Sequence, residues 1–124
     1  MSSKKLTAKQ NELIKIQNER KRLIEPFLSS DELIEGSYIE VLQKCGRPEC
    51  HCSKKPTHLV TRLSKWIDGK LKHKVVQISD RDKIRKLAEI YKHHKTCMAK
   101  LTKTEKKERT IMSAIIKLKN SHYE

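Results

Sequence analysis

Aromatic residues, glycines and prolines are scarce in this chain of 124 residues. It has one tryptophan, one phenylalanine, three tyrosines, three glycines and three prolines. Apolar residues make up 35% of the sequence, whereas an ordinary globular domain has roughly 45–50%. These shortages exclude one large hydrophobic core. A smaller core usually needs a metal, a disulfide or a partner chain to be stable.

Long hydrophobic runs are also missing. No run of about 18 apolar residues occurs, so no segment is predicted to span a membrane. The first residues, Met1–Leu6, contain no hydrophobic signal region. We therefore expect a cytoplasmic protein, in which thiols stay reduced and clustered cysteines are more often metal ligands than disulfides.

Acidic residues are in the minority, and the excess of positive charge is uneven. The chain has 29 lysines and arginines against 15 aspartates and glutamates, a formal net charge of +14. Residues 1–35 are nearly balanced, with seven basic and six acidic groups, whereas residues 81–124 have thirteen and five. Such a field attracts polyanions through their phosphates. It predicts contact with nucleic acid, directly or within an assembly, and plain solubility is the alternative.

Three of the four cysteines lie within eight residues, in the segment Cys45–Cys52 with the sequence CGRPECHC. Gly46 and Pro48 favour a loop whose ends converge, and His58 follows six residues after it. A structural zinc ion takes four tetrahedral ligands from thiolate sulfur and imidazole nitrogen. We therefore predict a structural Zn²⁺ site in this loop. Its predicted ligands are Cys45, Cys50, Cys52 and His58, with Cys97 and His73 as alternatives for the fourth position.

Nothing in the sequence predicts catalysis. Glu49 is the only acid inside the cysteine loop, and the loop has no hydrolase or deaminase signature. A nucleophilic thiol would need a neighbouring base, and no sequence pattern supplies one. We therefore expect a protein that is not an enzyme.

The stretch from Gly36-Ser37 through the cysteine loop resembles an uncharacterised family of small, basic, zinc-knuckle-like bacterial proteins with the motif Cys-Gly-Lys/Arg-Pro-x-Cys-x-Cys. Its members tend to be encoded in or near transposons and other mobile elements. The matching residues are Gly36, Ser37, Cys45, Gly46, Pro48, Cys50, Cys52, Leu63, Ser64, Asp68 and Gly69. The resemblance covers residues 36–100 and departs at His58, where Thr-His-Leu-Val replaces the family's His-Gly-Pro-Tyr run. It implies a protein of mobile elements, phages or plasmids that acts on nucleic acid or on its enzymes.

Three segments have the composition of β-strands, and a turn signal sets the register of two of them. The predicted strands are Ser37–Gln43, His58–Lys65 and Lys70–Ile78. Asp68-Gly69 predicts a two-residue type I′ turn, which pairs Thr61 with Val76 and places four lysines on one face of the hairpin. The four are Lys65, Lys70, Lys72 and Lys74. They form either a phosphate-binding ribbon or the soluble edge of a sheet.

Trp66 falls on the opposite face of this hairpin. We predict that it packs in a core, and an exposed stacking platform is the alternative.

Helical periodicity occupies both ends of the chain. An amphipathic helix is predicted from Thr7 to Glu25, ended or kinked by Pro26, and a capping box predicts a short second helix at Ser30–Glu35. The C-terminal arm starts near Ser79 and has apolar residues at a 3-4 spacing. It is either one helix of about 40 residues, about 60 Å long, or two helices divided at Thr102–Glu105.

We predict an α+β fold with a small three-stranded antiparallel sheet that has a zinc-binding loop. An N-terminal helix and a long C-terminal helix or helix pair flank the sheet. The predicted domains are a helical arm at 1–35, a zinc-stabilised β module at 36–79 and a second helical arm at 80–124.

The predicted function is that of a zinc-stabilised accessory protein of a mobile-element or defence system, which binds DNA or RNA through a lysine-rich hairpin and helix. The candidate nucleic-acid-binding residues are Arg62, Lys65, Lys70, Lys72, Lys74, Lys100, Lys103, Lys106, Lys107 and Arg109.

The alternative is a homodimeric adaptor that enhances or regulates a larger enzyme, such as a transposase or an RNA-guided CRISPR nuclease, by protein contact. The candidate dimer or partner contacts are Leu13, Ile16, Leu23, Phe27, Ile84, Leu87, Tyr91, Met98, Leu101, Ile111, Ile115 and Leu118.

Overall fold

The computed structural model describes residues 2–44, 46–51, 54–56 and 58–123. Helix α1 (Ser2–Leu28) is followed by strands β1 (Ser37–Gln43), β2 (His58–Ile67) and β3 (Lys70–Val75), and then by helix α2 (Arg81–Lys119). This is the α+β fold that was predicted: along the chain, one helix precedes and one helix follows a three-stranded antiparallel sheet.

The chain divides into two compact units rather than into three consecutive segments. A helical unit combines Met1–Ser30 with His94–Glu124, and a β unit comprises Asp31–His93. The predicted boundaries at 35 and 79 differ because the first three turns of α2 belong to the β unit. No helix in the described ranges is long and apolar enough to cross a membrane.

Helix α1 is longer at both ends than its sequence predicts. It begins at Ser2, so Thr7 does not cap it, and the Thr7 hydroxyl donates to the Ser3 carbonyl one turn earlier at 2.9 Å. Pro26 lies inside the helix, which continues for two more residues. A proline in the last turn removes a single backbone donor, so its cost there is small. Pro26 therefore does not end the helix, which stops two residues later at Leu28.

The predicted short helix at Ser30–Glu35 is wrong, because residues 30–35 have no regular secondary structure. The backbone amide of Ile34 donates instead to the carbonyl of Leu87 in α2, at 3.2 Å. This long-range bond replaces the local helical bonds that the capping pattern favours. It ties the segment before β1 to the start of α2.

The sheet has the order β1-β2-β3, and the predicted register of its hairpin is confirmed. Lys65 pairs with Lys72 and Ile67 pairs with Lys70 across the turn. The turn residues Asp68 and Gly69 have φ values of 51° and 78°, which are the positive values that a type I′ turn requires.

Two strand ends differ from the sequence prediction. Strand β2 runs two residues further than predicted, to Ile67. Strand β3 ends at Val75 rather than at Ile78, because the chain turns into a short 3-10 helix at Ile78–Asp80 before α2 begins. Thr61 and Val76, which were predicted to pair, remain joined just past the end of the ladder: the Val76 amide donates to the Thr61 carbonyl at 2.8 Å.

The first turns of α2 lie over one face of the sheet. Arg81 donates from Nε to the Thr61 hydroxyl at 3.2 Å and from its terminal nitrogen to the Leu59 carbonyl at 3.3 Å. Thr61 is only 1% exposed as a result. On the same face, the Tyr38 hydroxyl donates to the Glu40 carboxylate. Burial raises the pKa of Tyr38, and the nearby Glu40 carboxylate raises it further, whereas Arg81 and Arg85 lower it. The core of the β unit therefore lies between this face and α2.

Helix α2 is a single helix of 39 residues, which decides between the two alternatives left by the sequence. No glycine or proline interrupts it. Thr102 and Thr104, which were weighed as caps of a new helix, donate to the carbonyls of Met98 and Lys100 one turn earlier. Their hydroxyls are therefore satisfied within the helix, and no break is needed.

In the helical unit, α1 packs antiparallel to the second part of α2. Phe27 meets His94 edge to face with ring centroids 4.9 Å apart, and Arg20 pairs with Glu108 at 3.2 Å. The buried seam of α2 passes through Cys97, which is 3% exposed, whereas Met98 is 52% exposed. Met98 was a predicted contact residue of α2, so the buried seam lies one residue away from it at this point. Further along α2, Thr104 and Glu108 are buried as well.

Candidate functional site

The cysteine loop joins the adjacent ends of β1 and β2. Gln43, the last residue of β1, is directly opposite His58, the first residue of β2, so the chain from 44 to 57 leaves and re-enters the sheet at one point. Inside the loop, the Cys50 amide donates to the Arg47 carbonyl at 3.2 Å. Gly46 has a φ of 82°, a left-handed conformation that glycine adopts without strain. The described part of the loop therefore contains a tight turn from Arg47 to Cys50.

Cys50 and His58 face each other across the loop. The Sγ atom of Cys50 lies 3.4 Å from Nε2 of His58. A zinc ion bound to both at ordinary bond lengths would hold this sulfur and nitrogen about 3.6 Å apart. A thiol that donates to an imidazole gives a similar separation, so the pair fits two ligands of one metal without requiring it. Among the residues that the structure describes, no group of three His, Cys, Asp or Glu side chains gathers as a metal site. Cys45 and Cys52, the other two predicted ligands, lie outside the described residues.

The two alternative fourth ligands are placed differently. Nδ1 of His73 is hydrogen-bonded to the Ser64 hydroxyl at 2.5 Å. Ser64 is six residues along β2 from His58, about 20 Å at the usual rise of a strand. His73 therefore cannot complete the metal loop while this sheet is intact. Cys97 is buried in the helical unit.

His51 is a neighbour that the sequence reasoning missed. Its ring centroid is 6.3 Å from that of His58. Its position in the sequence, between the predicted ligands Cys50 and Cys52, is the one signal that could have indicated this neighbour.

The four hairpin lysines share one face, as the sequence predicted. We call this the lysine face of the hairpin, and the alternate residues that point the other way form its tryptophan face. The lysine face comprises Leu63, Lys65, Ile67, Lys70, Lys72 and Lys74. The tryptophan face comprises Arg62, Ser64, Trp66, Leu71, His73 and Val75. Arg62, a predicted nucleic-acid ligand, thus lies on the face opposite the lysines.

Trp66 is 69% exposed, so the prediction that it packs in a core is wrong. Leu71, its partner across the hairpin, is 46% exposed, and Val75 on the same face is 66% exposed. The alternative that the sequence left open, an exposed platform, agrees with this placement.

The remaining basic candidates lie in the helical unit, so they form a second group. All five are exposed on α2, and Arg109 is paired with Glu105 at 3.2 Å. Lys106 and Lys107 line a cleft of about 550 Å³ between α1 and α2, opposite Lys9 and Lys15. The other two members of the group are Lys100 and Lys103.

The predicted partner contacts divide by burial. Ile111 and Ile115 are 8% and 9% exposed, so the chain itself already covers them. Leu13, Ile16, Leu23, Ile84, Leu87, Tyr91, Leu101 and Leu118 are half-buried, whereas Phe27 and Met98 are exposed.

One protein family matches most of these elements. Its model, a domain of unknown function (DUF6788), matches residues 11–86. The chain belongs to the DUF6788 family. The matched region contains most of α1, the whole sheet with its cysteine loop, and the first residues of α2. No curated protein and no solved structure matches the chain.

Proposed function

We propose that this DUF6788 protein binds nucleic acid, with the lysine face of its β-hairpin on the phosphates. The observation that carries the proposal is the register of the hairpin, which aligns Lys65, Lys70, Lys72 and Lys74. The segment from Arg62 to Val75 has five basic residues and one acid, Asp68. Phosphate binding by such a ribbon needs no base contact and gives affinity that falls steeply with salt.

Repulsion between two lysines destabilises the hairpin, and a bound anion would relieve it. Lys65 and Lys72 are directly opposite each other across the strands. Like charges in that position destabilise an antiparallel pair. A phosphate near both ammonium groups would convert repulsion into two favourable contacts.

Zinc, in this proposal, has a structural role at the other end of the hairpin. Cys45, Cys50, Cys52 and His58 would hold it, and His58 is the first residue of β2. The distance between Cys50 and His58 supports shared ligation. Zinc bound there would clamp β1 to β2 and hold the hairpin in its orientation. The resemblance to proteins of mobile elements supports a task alongside a larger nucleic-acid enzyme.

A homodimeric adaptor that contacts such an enzyme is the second candidate. Three apolar side chains of the helical unit favour it: Met98, Met112 and Ile116 are 52%, 43% and 69% exposed. Met112 and Ile116 are one helical turn apart on α2, and neighbouring exposed apolar side chains are typical of protein contact.

The test is a pair of charge-matched double variants. Lys70→Glu with Lys72→Glu should reduce affinity for DNA or RNA by one to two orders of magnitude and flatten its salt dependence, because each phosphate contact contributes roughly −0.7 to −0.9 to the slope. Lys5→Glu with Lys21→Glu, two exposed residues of α1, changes the net charge equally and should have a much smaller effect. Fluorescence anisotropy at several salt concentrations measures both.

The single variant Lys72→Glu separates binding from folding. It places opposite charges across the strands at Lys65, so we expect a gain in stability of about 0.2–1 kcal/mol together with weaker binding. Equal losses in the two double variants would contradict the proposal. Copurification with one protein and no salt-dependent affinity for any nucleic acid would favour the adaptor.

A further inference from the structure

Strand β3 is an edge of the sheet, and its two sides differ in chemistry. The sheet order β1-β2-β3 leaves one long side of β3 without a strand among the described residues. Along β3, Lys70, Lys72 and Lys74 alternate with Leu71, His73 and Val75, and all six residues are exposed. A ligand that lies along this edge therefore meets ammonium groups on one side and flat or apolar groups on the other.

The tryptophan face has three rows of side chains about 7 Å apart, twice the rise per residue of a strand. The outermost row is Trp66 with Leu71, the next is Ser64 with His73, and the third is Arg62 with Val75. The hydrogen bond between Ser64 and Nδ1 of His73 fixes the imidazole in the middle row. Indole, imidazole and guanidinium groups are the side chains on which nucleobases stack.

We propose that the tryptophan face binds unpaired bases of a single nucleic-acid strand that runs along β3. The proposal rests on the proposed function, since the lysine face would hold the phosphates of the same strand. Trp66 supplies the principal stacking surface, because it has the largest ring system, is 69% exposed and lies next to the tip of the hairpin. His73 and Arg62 supply the two further rows.

Charge complementarity favours nucleic acid over a protein as the occupant. The hairpin has a net charge of +4 between Arg62 and Val75, from five basic groups and one acid. A single strand supplies phosphates and planar bases in a regular alternation that matches the alternation of β3. A duplex matches less well, because its bases are stacked on each other and their faces are inaccessible.

The experiment uses the intrinsic fluorescence of the full-length protein, because Trp66 is the only tryptophan in the chain. The probes are an oligothymidylate of about 12 nucleotides, within the usual range of single-strand site sizes, and a DNA duplex with the same number of phosphates. We expect the oligothymidylate to quench Trp66 and the duplex to leave its emission nearly unchanged. Trp66→Ala should weaken oligothymidylate binding, measured by anisotropy, about 5- to 100-fold.

Two variants keep the result interpretable. Trp66→Phe retains a ring and should recover most of the affinity, whereas Lys72→Glu should weaken both probes. Salt-dependent binding that Trp66→Ala leaves unchanged, or equal quenching by the duplex, would overturn the stacking proposal while the phosphate proposal stands. Absence of binding to either probe would remove both. The protein could instead form a dimer that dissociates on dilution. If Trp66→Ala abolished that dimer without changing oligothymidylate binding, the tryptophan face would be assigned to contact with a second copy.

Discussion

Gly36, the residue before β1, lies close to strand β2. A Cβ atom at this position would be 3.0 Å from both the Cδ1 atom of Leu63 and the carbonyl oxygen of Ser64. Its φ of 138° is in the region that favours glycine. A residue without a side chain here lets β1 begin directly against Ser64 of β2.

We expect Gly36→Ala to destabilise the β unit more than Gly69→Ala does. Gly69 also has a positive φ, 78°, but a Cβ there meets nothing within 4 Å. A left-handed alanine costs about 1–2 kcal/mol, and overpacking against Leu63 adds about 1–3 kcal/mol. Urea unfolding followed by the emission of Trp66 measures both variants. Equal losses in the two would show that the backbone conformation alone decides the cost.

At the scale of elements, the seam between α1 and α2 contains a buried charge. The Glu108 side chain is 7% exposed, and one of its oxygens is paired with Arg20, whose side chain is 49% exposed. The other oxygen, Oε1, is buried and has no hydrogen-bond partner among the described residues. Leaving a buried polar atom unsatisfied costs free energy that an apolar residue would not. The unsatisfied oxygen therefore lowers the stability of the packing between α1 and α2.

Removing the two partners of this pair should have opposite effects. Arg20→Met leaves the Glu108 carboxylate unpaired and should lower the free energy of unfolding by about 1–3 kcal/mol. Glu108→Leu removes the buried charge and should be neutral or stabilising. Arg22→Met, at an exposed position on the same helix, is the control. Thermal unfolding followed by circular dichroism reports all three, and a loss in Arg22→Met equal to that in Arg20→Met would argue against the pair.

The elements show where sequence reasoning succeeds. The hairpin register follows from Asp68-Gly69 because a two-residue turn fixes every later pair. Local chemistry decides this feature, so a single sequence contains the information. The absence of glycine and proline permits a single α2 but does not exclude a division at Thr102–Glu105, and the structure decides between the two.

Features that depend on distant contacts were not predictable. The segment before β1 is not helical because the Ile34 amide bonds to Leu87, more than 50 residues away. The seam passes through Cys97 because α1 selects the face of α2 that it covers. Trp66 is exposed near the tip of the hairpin, where Lys65, Leu71 and Lys72 are exposed as well, and alternation alone does not say how far along the strands the core extends.

At the scale of the whole molecule, zinc is the predicted link between the cysteine loop and the hairpin. We expect about one zinc per chain, lost in Cys50→Ser and in His58→Ala and retained in Cys97→Ala. Removing it with a chelator should lower the melting temperature of the β unit, because metal binding is coupled to folding in small zinc modules. Elemental analysis and Trp66 emission measure metal content and melting on the same samples.

The controls for this experiment lie in the same chain. Cys97 is 3% exposed in the helical unit, so Cys97→Ala tests whether the loss of any thiol lowers zinc content. A metal-free protein with an unchanged melting temperature would end the zinc proposal. The thiol of Cys50 would then be a hydrogen-bond partner of His58 and nothing more.

The register of the hairpin also limits the positions at which a lysine can be placed without changing face. Side chains on a strand alternate with a period of two residues, so a lysine moved by one position changes faces. On β2 the lysine face falls at odd positions and on β3 at even positions, as Lys65 and Lys72 illustrate. A lysine shifted by two residues along this hairpin therefore stays on the lysine face, whereas a shift of one would place its charge on the tryptophan face.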